Sequence, residues 1–310
     1  MKLKSMTSVI TKSAMVLAAC ASLNAFAGTA PSGKAPMAPA PEEPGALFDT
    51  IGATLEVGYD TRYFFRGLYF ADNTVWAGLS LSVPLTEQLT WGIGALYTNS
   101  VESTTQFGAP GDFSFAYQEL DLSTSLTYDA GFAKFGLVYT YYNFFNGFSG
   151  NGFPAGVVGP AVGAGETNIS NTNELGITVA APLGPVNIYT GWFYDFNIGG
   201  SYFELGVDYP IEITSWLSLV PAIKTGYGLD YYSSNGNPIL PFAGANGLGF
   251  GATGVSSGFT HILYSLSAPI KLTKSATLTP YIALNSSGSA RFINTNNNEV
   301  FGGVKLGVTF

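Results

Sequence analysis

The sequence predicts an all-β fold, a transmembrane antiparallel up-and-down β-barrel of twelve strands, and four observations carry that prediction. Twelve stretches alternate apolar residues with small or polar ones at a period of two, the repeat of a strand with two unlike faces. Charged residues are 10% of a 310-residue chain that is 46% hydrophobic, where ordinary soluble domains carry roughly a quarter. No stretch beyond the N-terminal leader offers the ~20 consecutive apolar residues of a spanning helix. The connections after even-numbered strands are short, and most of those after odd-numbered strands are longer, as in barrels with tight turns on one side of the membrane and loops on the other.

The chain divides into three. Residues 1–27 read as a signal peptide: Lys2, Lys4 and Lys12 precede the apolar run Ala14 to Ala21, and Ala25-Phe26-Ala27 is a small-x-small cleavage pattern. Leu17-Ala18-Ala19-Cys20 offers an alternative lipoprotein processing site with Cys20 lipidated. Residues 28–50 are a Pro/Ala-rich segment, too poor in bulky side chains to form a core and read as a periplasmic linker. Residues 51–310 are the barrel. The formal charge of -8, more negative once the leader's three lysines are lost, argues against nucleic-acid binding.

In order, Ala53 to Tyr63 opens the barrel with Leu55, Val57 and Tyr59 against Glu56, Gly58, Asp60 and Arg62. The aromatic segment Phe64 to Phe70 then leads through Asp72-Asn73 into a second strand, Val75 to Val83. The third runs from Leu89 to Tyr97. The fourth carries Leu120, Leu122, Leu126 and Tyr128, with Phe113, Phe115 and Tyr117 out of phase, which predicts a bulge near Gln118. Phe135 to Tyr141, Leu175 to Val179, Val186 to Phe196 and Phe203 to Tyr209 follow as strands five to eight. Leu217 to Leu229, Ile262 to Ala268, Leu278 to Leu284 and Val300 to Phe310 complete the set. Fourteen strands would result if the long loops Phe144 to Thr172 and Asp230 to Gly258 hid a hairpin.

Proline marks the strand ends. Pro84, Pro182, Pro210 and Pro269 each close an even-numbered strand, where the missing ladder donor is harmless. Pro221 and Pro280 fall inside strands nine and eleven, which predicts a later start of those strands or an interrupted ladder.

In the last strand, Val304, Leu306, Val308 and Phe310 alternate with Gly303, Lys305, Gly307 and Thr309. The aromatic end on the apolar face resembles the closing strand of bacterial outer-membrane barrels. That resemblance implies that Phe310 is an assembly signal read by the barrel assembly machinery.

A membrane requires the apolar face outside, with every backbone edge closed. Charge then points inward: Glu56, Asp60, Arg62, Glu119, Asp121, Lys134, Glu174, Asp195, Glu204, Asp208, Lys224, Glu299 and Lys305. The expected lumen-lining and selectivity set is Glu56, Asp60, Arg62, Arg66, Glu119, Asp121, Lys134, Asp195, Glu204, Asp208, Lys224 and Lys305. Tyr97, Tyr128, Tyr141, Trp192, Tyr194, Tyr209, Trp216 and Tyr264 suit interfacial girdles. Two interiors fit this pattern. In one the charges pair across a filled lumen; in the other a narrow hydrated passage prefers cations because acids outnumber bases.

The passage Gly58 to Gly67, G-Y-D-T-R-Y-F-F-R-G, followed by Asp72-Asn73, resembles the opening strand of the TorF-like or conserved-hypothetical porins of bacterial outer membranes. The resemblance implies a channel for passive diffusion, with outer-membrane lipid, lipopolysaccharide and small solutes as partners. Arg66 would either fold in as a constriction charge or anchor the first loop to acidic lumen groups. A non-conducting structural or adhesin-type barrel acting through its long loops is the alternative. An outer-membrane acyl hydrolase is a further one, but His261 is the only histidine and Ser265 lies four residues along the strand, about 13 Å away, so no enzymatic activity is expected. No metal-ligand cluster or phosphate-binding loop is present, and no cofactor is expected.

Overall fold

The computed structural model describes residues 52–101, 104–105, 113–114, 117–145, 171–197, 199–231, 257–288 and 298–310. The leader, the Pro/Ala-rich linker and most of the long loops lie outside the described residues. Among the described residues, twelve long strands build the barrel. They are β1 (Gly52–Phe65), β2 (Leu68–Pro84), β3 (Leu89–Ser100), β4 (Gln118–Asp129), β5 (Lys134–Phe144) and β6 (Asn171–Leu183), then β7 (Val186–Asp195), β8 (Gly200–Asp208), β9 (Ser218–Leu229), β10 (Gly258–Ser267), β11 (Ala276–Ser287) and β12 (Asn298–Thr309). Each pairs antiparallel with its sequence neighbours. The ring closes between β1 and β12, from Thr54 opposite Thr309 to Asp60 opposite Gly303. Closure at twelve leaves no free edge, so the fourteen-strand alternative does not apply to this ladder.

The period-two pattern lies as a membrane requires. Leu55, Leu79, Leu122, Leu137, Ile177, Leu205, Ile223 and Ile282 ring the outside and are 41–55% exposed, too open for a protein core and suited to hydrocarbon. Tyr128, Tyr209 and Trp216 are exposed on the outer face at the end that carries the short turns, called the lower end below. Tyr97, Tyr141 and Tyr194 sit toward the opposite, upper end.

Three of the lower turns share one construction. Leu85 N and Thr86 N donate to Leu89 O, Ile213 N and Thr214 N to Leu217 O, and Leu272 N and Thr273 N to Ala276 O. In each the threonine hydroxyl also accepts a backbone N–H from two and three residues on, the local bonding that makes Thr a turn residue.

Three expectations are corrected. The first hairpin turns at Arg66-Gly67, whose φ angles of 51° and 82° are those of a two-residue primed turn matched to the twist of its strands; Asp72 instead lies within β2, opposite Arg62. The fourth strand starts at Gln118 without a bulge there, and Tyr117 stands just before it, its N–H held by Ser100 Oγ at 2.8 Å. Strands β9 and β11 run through Pro221 and Pro280, which pair opposite Leu266 and Val304. Their carbonyls accept N–H groups of Tyr209 and Ala268, each at 3.0 Å, so the ladder is carried by acceptors where the donors are missing.

Candidate functional site

The two halves of the barrel interior differ in residue size. In the lower half many inward positions are small, among them Ser80, Ser82, Ser123, Ser125, Thr127 and Thr178, and these six are only half-buried although they face inward, while Lys134, Tyr189, Asp208 and Lys305 also point inward there. Side chains as short as these six cannot meet across the barrel and leave room for water beside them. In the upper half the inward positions are large and buried: Trp76, Leu96, Tyr142, Phe144, Phe193 and Tyr202.

The tip of the first hairpin fills the upper half. Alternation in β1 holds to Thr61, after which Tyr63, Phe64 and Phe65 are all buried and the β1–β2 register slips between Tyr63 and Phe64. Such an irregularity bends a strand, and here the tip leans over the lumen. Phe64 packs against Leu263, Ala283 and Phe301 on β10, β11 and β12. Tyr63 donates to Glu119 Oε2 at 3.1 Å on the other side, and Phe65 meets the edge of Tyr142 with centroids 6.0 Å apart. Gly67 passes so close to His261 that a Cβ there would stand 2.7 Å from that of the histidine; glycine satisfies both this approach and the positive φ. Asn285 Nδ2 donates to Gly67 O at 3.3 Å.

At the tip stands Arg66, 4% exposed. Its guanidinium forms a fork onto Glu174 of β6, Nη1 to Oε2 at 2.5 Å and Nη2 to Oε1 at 2.7 Å, and Nη1 also donates to the Tyr231 hydroxyl at 2.7 Å. Four rings surround it, with centroids 4.4 Å (Tyr202), 4.7 Å (Phe65), 4.9 Å (Phe193) and 5.3 Å (Tyr231) from its central carbon. A buried guanidinium requires both a bidentate anion and satisfied N–H groups; cation–π attraction adds to each. Tyr142 donates to Glu174 Oε1 at 3.3 Å and fixes the carboxylate from behind.

The other expected site residues take two kinds of place. Glu56 with Lys305 (2.8 Å), Glu204 with Lys224 (3.1 Å), Lys134 with Asp129 (3.4 Å), and Arg62 with Asp72 (3.4 Å) and Glu299 are paired along the wall. Asp208 accepts from Asn187 Nδ2 at 2.6 Å, and Asp60 from Trp76 Nε1 at 2.9 Å and the Tyr281 hydroxyl at 2.6 Å. The rest gather near the plug. Glu119 accepts from Tyr63 and Tyr117, the latter at 2.6 Å. Asp195 accepts from Thr172 Oγ1 at 2.6 Å, and Asp121, 1% exposed, lies against the carboxyl group of Glu119. A cavity of about 10 Å³ between Glu119, Thr172, Asp195 and Tyr231 has room for about one water. Glu174 and Tyr231, the residues that receive Arg66, were missing from the expected site set: the first is one inward acid among many, the second was assigned to a loop.

His261 is 3% exposed, with Thr260 Oγ1 2.7 Å from its Nδ1. It packs under the hairpin tip.

The closed ring, the outward apolar belt and the inward charge define a transmembrane β-barrel. No family model matches the chain, and no curated protein matches it. Solved structures are similar to the chain at low identity. An outer membrane channel from Pseudomonas putida F1 is 13% identical with TM-score 0.48, the match covering 87% of this chain and all of that one. The KdgM porin in complex with disordered oligogalacturonate is 9% identical with TM-score 0.41, over 83% of this chain and 98% of that one. LpxR from Salmonella typhimurium is 9% identical with TM-score 0.44, over 83% of this chain and all of that one. Each likeness is one of fold and brings no residue role with it.

Proposed function

We propose that this barrel is a porin-like outer-membrane channel for passive diffusion of small polar or cationic solutes, closed in the present conformation by its first hairpin. The observation that carries the reading is the division of the interior. A polar vestibule in the lower half ends against a plug whose one charged side chain is tied to the wall through a single carboxylate, Glu174. A lumen built only to be filled would place large side chains at both levels.

The preference for cations rests on Glu119, Asp121, Glu174 and Asp195, four buried acids of the upper lumen of which only Glu174 pairs with Arg66. Arg66 is the constriction charge and the loop anchor at once. The placement of His261 under the hairpin, with Thr260 as its hydrogen-bond partner, supports a non-enzymatic role. Phe310, 76% exposed on the outer face, is proposed as the assembly signal, and outer-membrane lipid and lipopolysaccharide as the surroundings of the apolar belt.

A second reading, a non-conducting barrel that acts through its upper loops, is favoured by the depth at which Arg66 and Glu174 are buried. Recordings from the purified protein in planar bilayers, with reversal potential measured across a salt gradient, separate the two. Discrete cation-selective steps support the channel. Anion selectivity refutes the charge argument, and a correctly inserted but silent barrel at every voltage favours the second reading.

A further inference from the structure

We propose that Glu174 with the rings of Phe193, Tyr202 and Tyr231 forms a binding site for a guanidinium-bearing solute, and that Arg66 fills this site as a tethered occupant in the closed conformation. The inference deepens the channel reading, on which it rests for the way a solute arrives.

The receptor belongs to the wall. Glu174 comes from β6, Phe193 from β7, Tyr202 from β8 and Tyr231 from the segment after β9; Phe65 alone among the surrounding rings arrives with the hairpin. Moving the tip away would therefore leave the carboxylate and three of the four rings in place. Tyr142, also on the wall, holds Glu174 Oε1 at 3.3 Å, and Tyr202 and Tyr231 brace each other with centroids 5.6 Å apart.

The geometry selects a planar, delocalised cation. Both oxygens of Glu174 are engaged by two different nitrogens of one guanidinium, and the Tyr231 hydroxyl accepts a further N–H. A compact ammonium satisfies one arm of such a fork and is more strongly hydrated than a guanidinium, so it binds a desolvated aromatic site less well. An empty site would hold an uncompensated buried carboxylate next to Asp195 and Asp121, a costly state that any matching cation relieves. A guanidinium-bearing solute reaching the plug thus competes with Arg66 for one carboxylate, and its success removes the charged anchor of the hairpin tip.

The test uses methylguanidinium chloride at millimolar concentration as the probe, against sodium chloride of equal ionic strength. The readout is the midpoint of heat-induced unfolding of the folded barrel in detergent micelles, since a ligand of the folded state raises that midpoint. Arg66→Ala should gain several degrees from methylguanidinium over sodium chloride. Wild type, whose site is already filled, should gain less, and Arg66→Ala combined with Glu174→Gln should gain nothing. If Arg66→Ala does not fold, Arg66→Lys serves in its place, because a lysine leaves one arm of the fork unfilled and should also respond more than wild type. A folded Arg66 variant that responds equally to both salts, or a double variant that responds as the single one does, overturns the proposal. Because binding is read without current, a barrel that binds methylguanidinium but never conducts refutes the channel and leaves the site standing. A conducting barrel indifferent to the probe refutes the site alone.

Discussion

Arg66 and Glu174, 108 positions apart in the chain, meet inside the barrel in a forked pair of 2.5 and 2.7 Å with both side chains almost fully buried. The pair joins the tip of the first hairpin to the opposite wall.

Breaking the pair from either side should cost more than removing it. Arg66→Met or Glu174→Leu alone leaves one buried charge without its partner and is expected to destabilise the barrel by about 3–5 kcal/mol. The double variant should be more stable than either single one. Equilibrium unfolding in urea with lipid vesicles, followed by tryptophan fluorescence, gives the four corners of the cycle; simple additivity would argue against a coupled pair.

Gly226 makes room for Tyr202, one of the rings around Arg66. A Cβ at Gly226 would overlap the Tyr202 hydroxyl. Gly226→Ala is expected to destabilise by roughly 1–3 kcal/mol, the usual cost of overpacking, and Tyr202→Phe, which removes the overlapped oxygen, should restore part of it. No recovery in the double variant would place the strain elsewhere.

The faces of β4 should respond in opposite ways to the same charge. Leu122 is 46% exposed on the outer belt, and its neighbour Ser123 faces the vestibule. Leu122→Arg is expected to cost roughly 2–4 kcal/mol in a bilayer, whereas Ser123→Arg should be tolerated. Folding yields and urea midpoints in vesicles compare the two, and equal penalties would mean that the inward face is not hydrated.

Thiol labelling maps the depth of the vestibule. In a Cys20→Ser background, Ser125→Cys and Thr127→Cys should react rapidly with a water-soluble maleimide. Thr98→Cys and Thr140→Cys, at buried positions 1% and 2% exposed, should react slowly. Uniform labelling along the interior would indicate an open lumen.

Most of the ladder was legible because the membrane enforces it: lipid on one side and water or polar groups on the other turn every strand into a period-two record. The first hairpin was misread where that enforcement ends. Tyr63, Phe64 and Phe65 are buried together, so no alternation survives to report a strand. Asp72-Asn73 has turn chemistry, and Asn73 does adopt a positive φ of 49°, yet the chain reverses earlier, at an arginine that few turns would place in that region. The inward placement of Arg66 was one of two roles open from the aromatic residues around it. Its partner was not, because a pairing across the barrel leaves no mark in local sequence. Pro221 and Pro280 suggested interrupted strands because the carbonyls that keep those positions in the ladder belong to a register only the fold reveals.

Single-channel recording of wild type beside Arg66→Ala and Glu174→Gln tests the central claim most directly. The account predicts brief or rare openings in wild type and long-lived, cation-selective openings in both variants, with insertion verified by resistance of the barrel to protease. Silence in all three barrels, correctly inserted, would contradict it.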